Sequence, residues 1–256
     1  MDFFLGDFTG QQILIVAICA FLVGVSKTGV PGCGILNVPL IALAFGAKES
    51  TGLLLPILCM ADVFAVKYYH RHAEWKHIWR LLPWALGGIG IGCLVVEFIS
   101  DKQLKPIIGF IVLIMLVLNY WRMHRAGGEL KVPTHWAFAA SMGLAAGLTT
   151  AMANAAGPIM VIYLLAMQLP KNEYMGTGAW YFLILNWLKV PLFIWGGRIT
   201  MASVKLDILM LPLIALGAVA GIYILKKIPQ KYFNLILQLL AVAAAIKLCW
   251  SIKYLF

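Results

Sequence analysis

The chain has 256 residues, of which 62% are hydrophobic and only 12% are charged. Soluble domains are typically about 25% charged, so this composition excludes a soluble globular protein and indicates a multi-pass membrane protein. The net charge of +10 does not indicate a nucleic-acid partner. Most lysines and arginines lie in short loops, where they face lipid headgroups and set the orientation of the spans.

Apolar segments fill the chain from residue 11 onward, and no basic segment precedes them, so we expect no cleavable signal peptide. A perpendicular crossing of the bilayer takes about 20 residues. Six segments are long enough, or nearly so, and they cover residues 50–69, 78–98, 105–121, 176–195, 204–225 and 232–250.

Two other regions contain pairs of shorter apolar segments joined at a glycine- and proline-rich break. The first broken region covers residues 11–45 and is interrupted at residues 26–34; the second covers residues 136–169 and is interrupted at residues 151–158. Glycine and proline both interrupt helices. Each region therefore predicts two short helices, arranged either as a re-entrant hairpin or as two tilted spans.

The distribution of basic residues predicts the orientation of the spans. The loops at residues 67–80, 122–135 and 226–231 are rich in lysine and arginine, so we expect them to be cytoplasmic. The acidic N-terminus, with Asp2 and Asp7, is then outside, and so is the C-terminus. The compartment expected from this pattern is the cytoplasmic (inner) membrane.

An ordered series of matches indicates that the two halves of the chain are repeats. Small residues four apart recur before each break and again later in each half, with matching glycines, lysines and prolines between them. The matched residues are Ala20 and Gly24 with Gly143 and Gly147, Gly34 with Gly157, Lys48 with Lys171, Pro83 with Pro212, and Gly88 and Gly92 with Gly217 and Gly221. Each half makes an odd number of crossings, so the repeat is inverted, which is typical of transporters.

The predicted fold is therefore all-α, with an inverted repeat of two membrane halves. Residues 1–125 form the first repeat, residues 126–135 a cytoplasmic linker, and residues 136–256 the second repeat. Each half has a broken or re-entrant helix pair and about three transmembrane helices.

The two breaks are the expected binding site, because a helix N-terminus inside the membrane offers unpaired amides and a positive dipole end to an anion. One half-helix opens at Gly32, Cys33 and Gly34, and the other at Ala156 and Gly157. Neutral hydrogen-bonding groups near the breaks are Ser26, Thr28, Thr150 and Asn154. Lys27 is costly at this depth unless it lines a cavity or is paired; the alternative is that its stem reaches the interface.

Three polar side chains interrupt other spans. Asp62 lies within residues 50–69, and Asn186 and Lys189 lie three apart on one helix face. We expect Asp62 to pair with Lys27 or Lys189, or to carry a coupling proton. A purely structural ion pair explains the same residues equally well.

No metal, cofactor or catalytic centre is predicted. The 5 cysteines lie in apolar segments without a CxxC spacing, and the 5 histidines lie in loops or at segment ends. Neither an HExxH nor a GxSxG motif is present. The open alternatives are a transporter of another small anion or of a metal ion, a membrane-embedded enzyme, and a scaffold without transport.

Two stretches resemble the TauE/SafE family of sulfite exporters. They are residues 21–34 with Pro39 and Lys48, and residues 147–158 with Tyr163, Leu164, Lys171, Gly176, Thr177, Asn186 and Lys189. The resemblance implies a transporter that exports sulfite or an organosulfonate such as sulfoacetate, with a small anion as its substrate. A homodimer is one option for its assembly.

Overall fold

Every regular element in the described part of the chain is a helix. The computed structural model describes residues 8–31, 34, 37–45, 47–98, 103, 135–229, 232, 236 and 239. In chain order the helices are α1 (Gly10–Thr28), α2 (Asn37–Phe45), α3 (Ala47–Tyr69), a 3-10 turn (His70–His72), α4 (Trp75–Phe98), α5 (Trp136–Ala153), α6 (Gly157–Ala166), α7 (Lys171–Trp195), α8 (Met201–Leu209) and α9 (Leu211–Lys227).

Five of these helices are long and apolar enough to cross a membrane, namely α1, α3, α4, α5 and α7. This confirms the all-α membrane fold and the spans predicted at residues 50–69, 78–98 and 176–195. The predicted span at residues 105–121 lies outside the described residues. The span at 232–250 is described only at residues 232, 236 and 239, and the linker at 126–135 only at His135.

The span predicted at residues 204–225 is instead a bent pair of helices. The helices α8 and α9 meet at Met210 at an angle of 49° and can together form one further span. Pro212 lies in the first turn of α9. Proline has no N–H and its ring crowds the preceding turn, so Pro212 favours a bend here, although α3, α4 and α7 continue through Pro56, Pro83 and Pro191.

The first break begins later than the sequence predicts. Helix α1 continues through residues 26–28, so Ser26, Lys27 and Thr28 belong to its last turn, and its 19 residues are enough to span. Glycine and proline are absent from these three positions, and the helix ends at Gly29. Helix α2 is described from Asn37; residues 32, 33, 35 and 36, at the expected opening, lie outside the described residues.

The second break is tighter. Helix α5 continues to Ala153 and is capped by Asn154 in the left-handed conformation, with φ of 52°. Helix α6 begins at Gly157 with Pro158 in its first turn, where the missing N–H costs nothing. Since nearly all of α6 is buried, its unpaired ends lie within protein, as a membrane interior requires.

Two helix interfaces between the halves are equivalent: the residues in contact in one interface match those in the other at the sequence offsets of the predicted repeat. Helix α1 packs on α9, and α5 packs on α4, through facing glycines. A Cβ at Gly217 would lie 3.2 Å from Cα of Gly24, and one at Gly88 would lie 3.1 Å from Cα of Gly147. This is the contact pattern that two halves related by a pseudo-twofold axis would produce. The central helices α3 and α7 then pack on each other and carry the polar residues of the site.

Candidate functional site

A cavity of about 90 Å³ lies where the two breaks meet α7. One water molecule needs about 10–15 Å³ on the same measure, so the space suits a few waters or one small polyatomic ion. Seven of the predicted site residues line it: Ser26, Lys27, Gly34, Thr150, Asn154, Gly157 and Asn186. The structure therefore brings both broken regions to one cavity.

Lys27 is the one charged side chain among the described residues that line this cavity. Its side chain is 12% exposed, and its Nζ lies 2.7 Å from Oδ1 of Asp62. The same ammonium lies 4.0 Å from the ring centroid of Phe182, where it is attracted to the electron-rich ring face. Lys27 thus faces the cavity, and its charge is paired, as expected for a lysine away from water.

Asp62 lies behind the cavity wall and is fully buried. One of its oxygens pairs with Lys27, and the other accepts a hydrogen bond of 2.6 Å from Nδ2 of Asn186. Both partners line the cavity, whereas Asp62 does not. Asp62 therefore neutralises Lys27 and orients two side chains that face the cavity.

Lys189 is also fully buried behind the wall. Its Nζ donates to Oγ1 of Thr150 at 2.8 Å, to Oδ1 of Asn154 at 2.7 Å and to the carbonyl of Thr150 at 3.3 Å. An ammonium has three donors, so these bonds account for all of them. A positive charge at the C-terminus of α5 also complements the helix dipole.

Asn154 connects the second break to a neighbouring span. Its Oδ1 accepts from Lys189, and its Nδ2 donates to the carbonyl of Thr51 at 2.8 Å. Its left-handed backbone is one that asparagine adopts more readily than most residues. Asn154 therefore fixes the end of α5 against α3 while it lines the cavity.

The site carries a net positive charge when its groups are ionised, with two ammonium groups and one carboxylate. The N-terminus of α6 adds partial positive charge. Gly157 opens this helix at the cavity, and a Cβ there would meet nothing within 4 Å, so the backbone faces open space. The arrangement suits a small anion.

The other predicted site residues lie elsewhere. The hydroxyl of Thr28 donates hydrogen bonds to the carbonyls of Gly24 and Ala218 and so joins α1 to α9. Ala156 is the buried residue that precedes α6 and does not line the cavity. Gly32 and Cys33 lie outside the described residues. In the first break, the amide of Gly34 donates to the hydroxyl of Ser26 at 3.0 Å.

A strip of α7 contributes more of the wall than the sequence analysis recognised. Tyr174, Gly178, Phe182 and Asn186 all line the cavity. They recur every four residues, a spacing that places them along one helix face. Of these four, only Asn186 is among the site residues predicted from the sequence, although the four-residue spacing is visible there.

The described residues contain no group of three or more histidine, cysteine or acidic side chains that could hold a metal ion. Searches of curated proteins and of solved structures gave no significant match. The family described as sulfite exporter TauE/SafE matches residues 16–248. Because the match covers nearly the whole chain, including both broken regions and the spans that carry Asp62 and Lys189, the protein belongs to the TauE/SafE family of sulfite-exporting membrane transporters.

Proposed function

We propose that this transporter exports a small sulfur-containing anion, sulfite or an organosulfonate such as sulfoacetate, across the cytoplasmic membrane. The proposed binding site is the cavity between the two breaks. Family membership supports the substrate class. The observation that carries the proposal is Lys27, a lysine that lines the same small cavity as the N-terminus of α6 and is paired with a buried carboxylate.

We propose that the anion is held by one charged side chain and by several neutral hydrogen-bonding groups. In this account the anion approaches Lys27 from the cavity side, opposite its bond to Asp62. Thr150, Asn154 and Asn186 offer neutral polar groups, and the first turn of α6 offers backbone amides. Lys189 acts through Thr150 and Asn154, so it positions the wall and adds positive potential without touching the anion.

Asp62 gives the site a means of coupling the anion to a proton. When Asp62 is ionised it competes with the anion for Lys27, since both are negative. Protonation of Asp62 would leave Lys27 and Lys189 without a compensating carboxylate and would favour the anion. A proton and the anion would therefore bind together and cross together, and the outward gradient of the anion would drive their export.

The orientation is part of the same proposal. The two repeats, residues 1–125 and 136–256, insert with opposite orientations, and the linker at 126–135 is cytoplasmic. Both termini lie outside. Matched glycine contacts between the halves support this arrangement, as do the basic residues at 67–80 and 226–227. Such a pseudo-twofold arrangement places the binding site between the repeats.

The test is the thermal stability of the purified protein with sulfite, sulfate, sulfoacetate, taurine, acetate and nitrate. A ligand at 100 times its Kd stabilises the folded state by about 2.7 kcal/mol. We expect a higher Tm with sulfite or a sulfonate. The double variant Lys27→Gln/Asp62→Asn should lose this shift, since it removes both charges and leaves neither partner unpaired. Lys76→Gln, on the exposed start of α4, is the control.

Each other result has a defined meaning. A shift with acetate or nitrate but with no sulfur anion would keep the anion site and replace the substrate. A sulfite shift that survives in the double variant would place the site elsewhere. No shift with any anion in a folded protein would overturn the proposal.

A further inference from the structure

A second cavity, of about 350 Å³, opens at the ends of three helices. It lies where α3 ends, α7 begins and α9 ends, and shares no lining residue with the first cavity. We call it the basic cleft. Its buried walls are Tyr69 and Leu225, each 2% exposed. The hydroxyl of Tyr69 donates to the carbonyl of Thr28 at 2.7 Å, which fixes this wall in place.

Three basic side chains line the cleft: His72, Lys171 and Lys226. The other described lining residues include Tyr68 and Asn172, and none of them is acidic. A positively charged cleft with polar and aromatic walls favours a negatively charged group with several acceptor oxygens.

Packing holds the turn and helix ends of the cleft together. The 3-10 turn lies so close to α7 that a Cβ at Gly176 would be 2.7 Å from the carbonyl carbon of His72. The amide of Glu74 donates to the hydroxyl of Thr177 at 2.9 Å. These contacts hold the turn, and with it His72, against α7.

Lys171 fixes the opposite wall. Its Nζ donates to the carbonyls of Leu225 and Ile228 at 3.2 and 3.1 Å, so it caps the C-terminal end of α9. Lys226 is then held near Tyr68, with Nζ 5.6 Å from the ring centroid. The basic groups of the cleft come from three separate segments, so the cleft exists only in the folded protein.

The position of the cleft points to the membrane surface. It lies at the ends of apolar helices, next to further exposed basic residues at positions 67, 71 and 227. Tyrosine and lysine are typical of the headgroup level, and basic pockets between transmembrane helices bind anionic headgroups. The volume exceeds that of the first cavity about fourfold, which suits a phosphate with its attached glycerol.

We propose that the basic cleft binds the phosphate of an anionic phospholipid headgroup. Lys226 supplies charge, His72 supplies a hydrogen bond, and the ring of Tyr68 and the side chain of Leu225 contact the glycerol. Binding would tie α3, α7 and α9 together at this face of the membrane. The proposal does not depend on which anion crosses the membrane.

The test compares short-chain phosphatidylglycerol with phosphatidylcholine as additives in a thermal stability titration of the detergent-purified full chain. We expect phosphatidylglycerol to raise Tm and phosphatidylcholine to leave it nearly unchanged. Lys226→Gln should weaken the apparent affinity for phosphatidylglycerol about fivefold, the equivalent of roughly 1 kcal/mol for one basic residue at a membrane surface.

Lys227→Gln is the matched control. Lys227 is the neighbouring residue on α9, is also exposed, and also lies over a tyrosine ring, but it does not line the cleft. Equal effects of the two variants would overturn the proposal and indicate a diffuse basic surface. Equal shifts with the two lipids would also overturn it. A shift with inorganic phosphate or sulfite that Lys226→Gln removes would reassign the cleft to a free anion.

Discussion

Lys27 and Asp62 form an ion pair of 2.7 Å in which Asp62 is fully buried and Lys27 is 12% exposed, and only the lysine faces the cavity. The carboxylate reaches the cavity indirectly, through Lys27 and through the amide of Asn186. Removal of one partner of such a pair leaves an uncompensated charge, which is usually worse than removal of both. The pair is therefore a structural element at the cavity wall, and in our proposal it is also where the anion and a proton meet.

The first prediction concerns the stability of the pair. Lys27→Gln and Asp62→Asn should each destabilise the protein, on the order of 3–5 kcal/mol as for other buried pairs, whereas the double variant should lose much less than the sum. A Tm series on the four proteins measures this coupling. Additive losses would mean that the two side chains do not interact in the native protein.

The second prediction concerns the proton. If Asp62 carries the coupling proton, the variant Asp62→Asn changes the pH profile of flux, because an amide cannot take up or release that proton. We expect flux in the wild type to vary with pH and flux in the variant to be flat at a reduced level. Initial rates in proteoliposomes at a series of pH values measure this. An unchanged profile would remove the proton role and leave a structural pair.

The third prediction concerns Lys189. Lys189→Met keeps the length of the side chain but removes its three hydrogen bonds to Thr150 and Asn154. Anion affinity should fall because the wall is no longer fixed and a positive charge is lost. The Tm shift produced by sulfite measures the change. Sulfite affinity equal to that of the wild type would exclude any influence of Lys189 on the site.

The fourth prediction concerns the glycine interfaces. A Cβ at Gly88 would collide with the carbonyl of Leu144 on α5, whereas one at Gly87 would meet nothing within 4 Å. Gly88→Ala should therefore lower Tm. Gly87→Ala should leave it unchanged or raise it slightly, since alanine favours helix by up to about 1 kcal/mol. Similar effects of the two variants would mean that α4 and α5 are not packed this closely.

The equivalent pair in the other half extends this test. A Cβ at Gly217 would collide with the carbonyl of Phe21, and Phe21 corresponds to Leu144 at the offset of the repeat. Gly217→Ala should thus destabilise the protein much as Gly88→Ala does. A tolerated Gly217→Ala beside a damaging Gly88→Ala would argue against equivalent interfaces in the two halves.

Much of the fold was predictable from the sequence, because an apolar segment of about 20 residues identifies a membrane span. The spans at residues 50–69, 78–98 and 176–195 are confirmed. The predictions that were wrong concern where α1 ends and where the span at residues 204–225 bends. The first glycine of the break is Gly29, so residues 26–28 extend α1, and α8 and α9 separate at Met210, next to the first turn that contains Pro212.

The site was predictable in part, since glycine breaks and polar residues in apolar spans are rare enough to be noticed. Which residues face the cavity was not predictable from composition. Thr28 turns to α9, and Lys189 lies behind Asn154, because tertiary packing decides these directions. The strip on α7 that includes Tyr174 and Phe182 was predictable, because its four-residue spacing places these residues on one helix face.

The most direct test of the account is sulfite flux in proteoliposomes that contain the purified protein, measured for the wild type and for Lys27→Gln/Asp62→Asn. We expect saturable sulfite flux in the wild type and a loss of that flux in the double variant, with Lys76→Gln behaving as wild type. Flux that is unaffected in the double variant, or an absence of flux for every sulfur anion with a folded wild-type protein, would contradict the account.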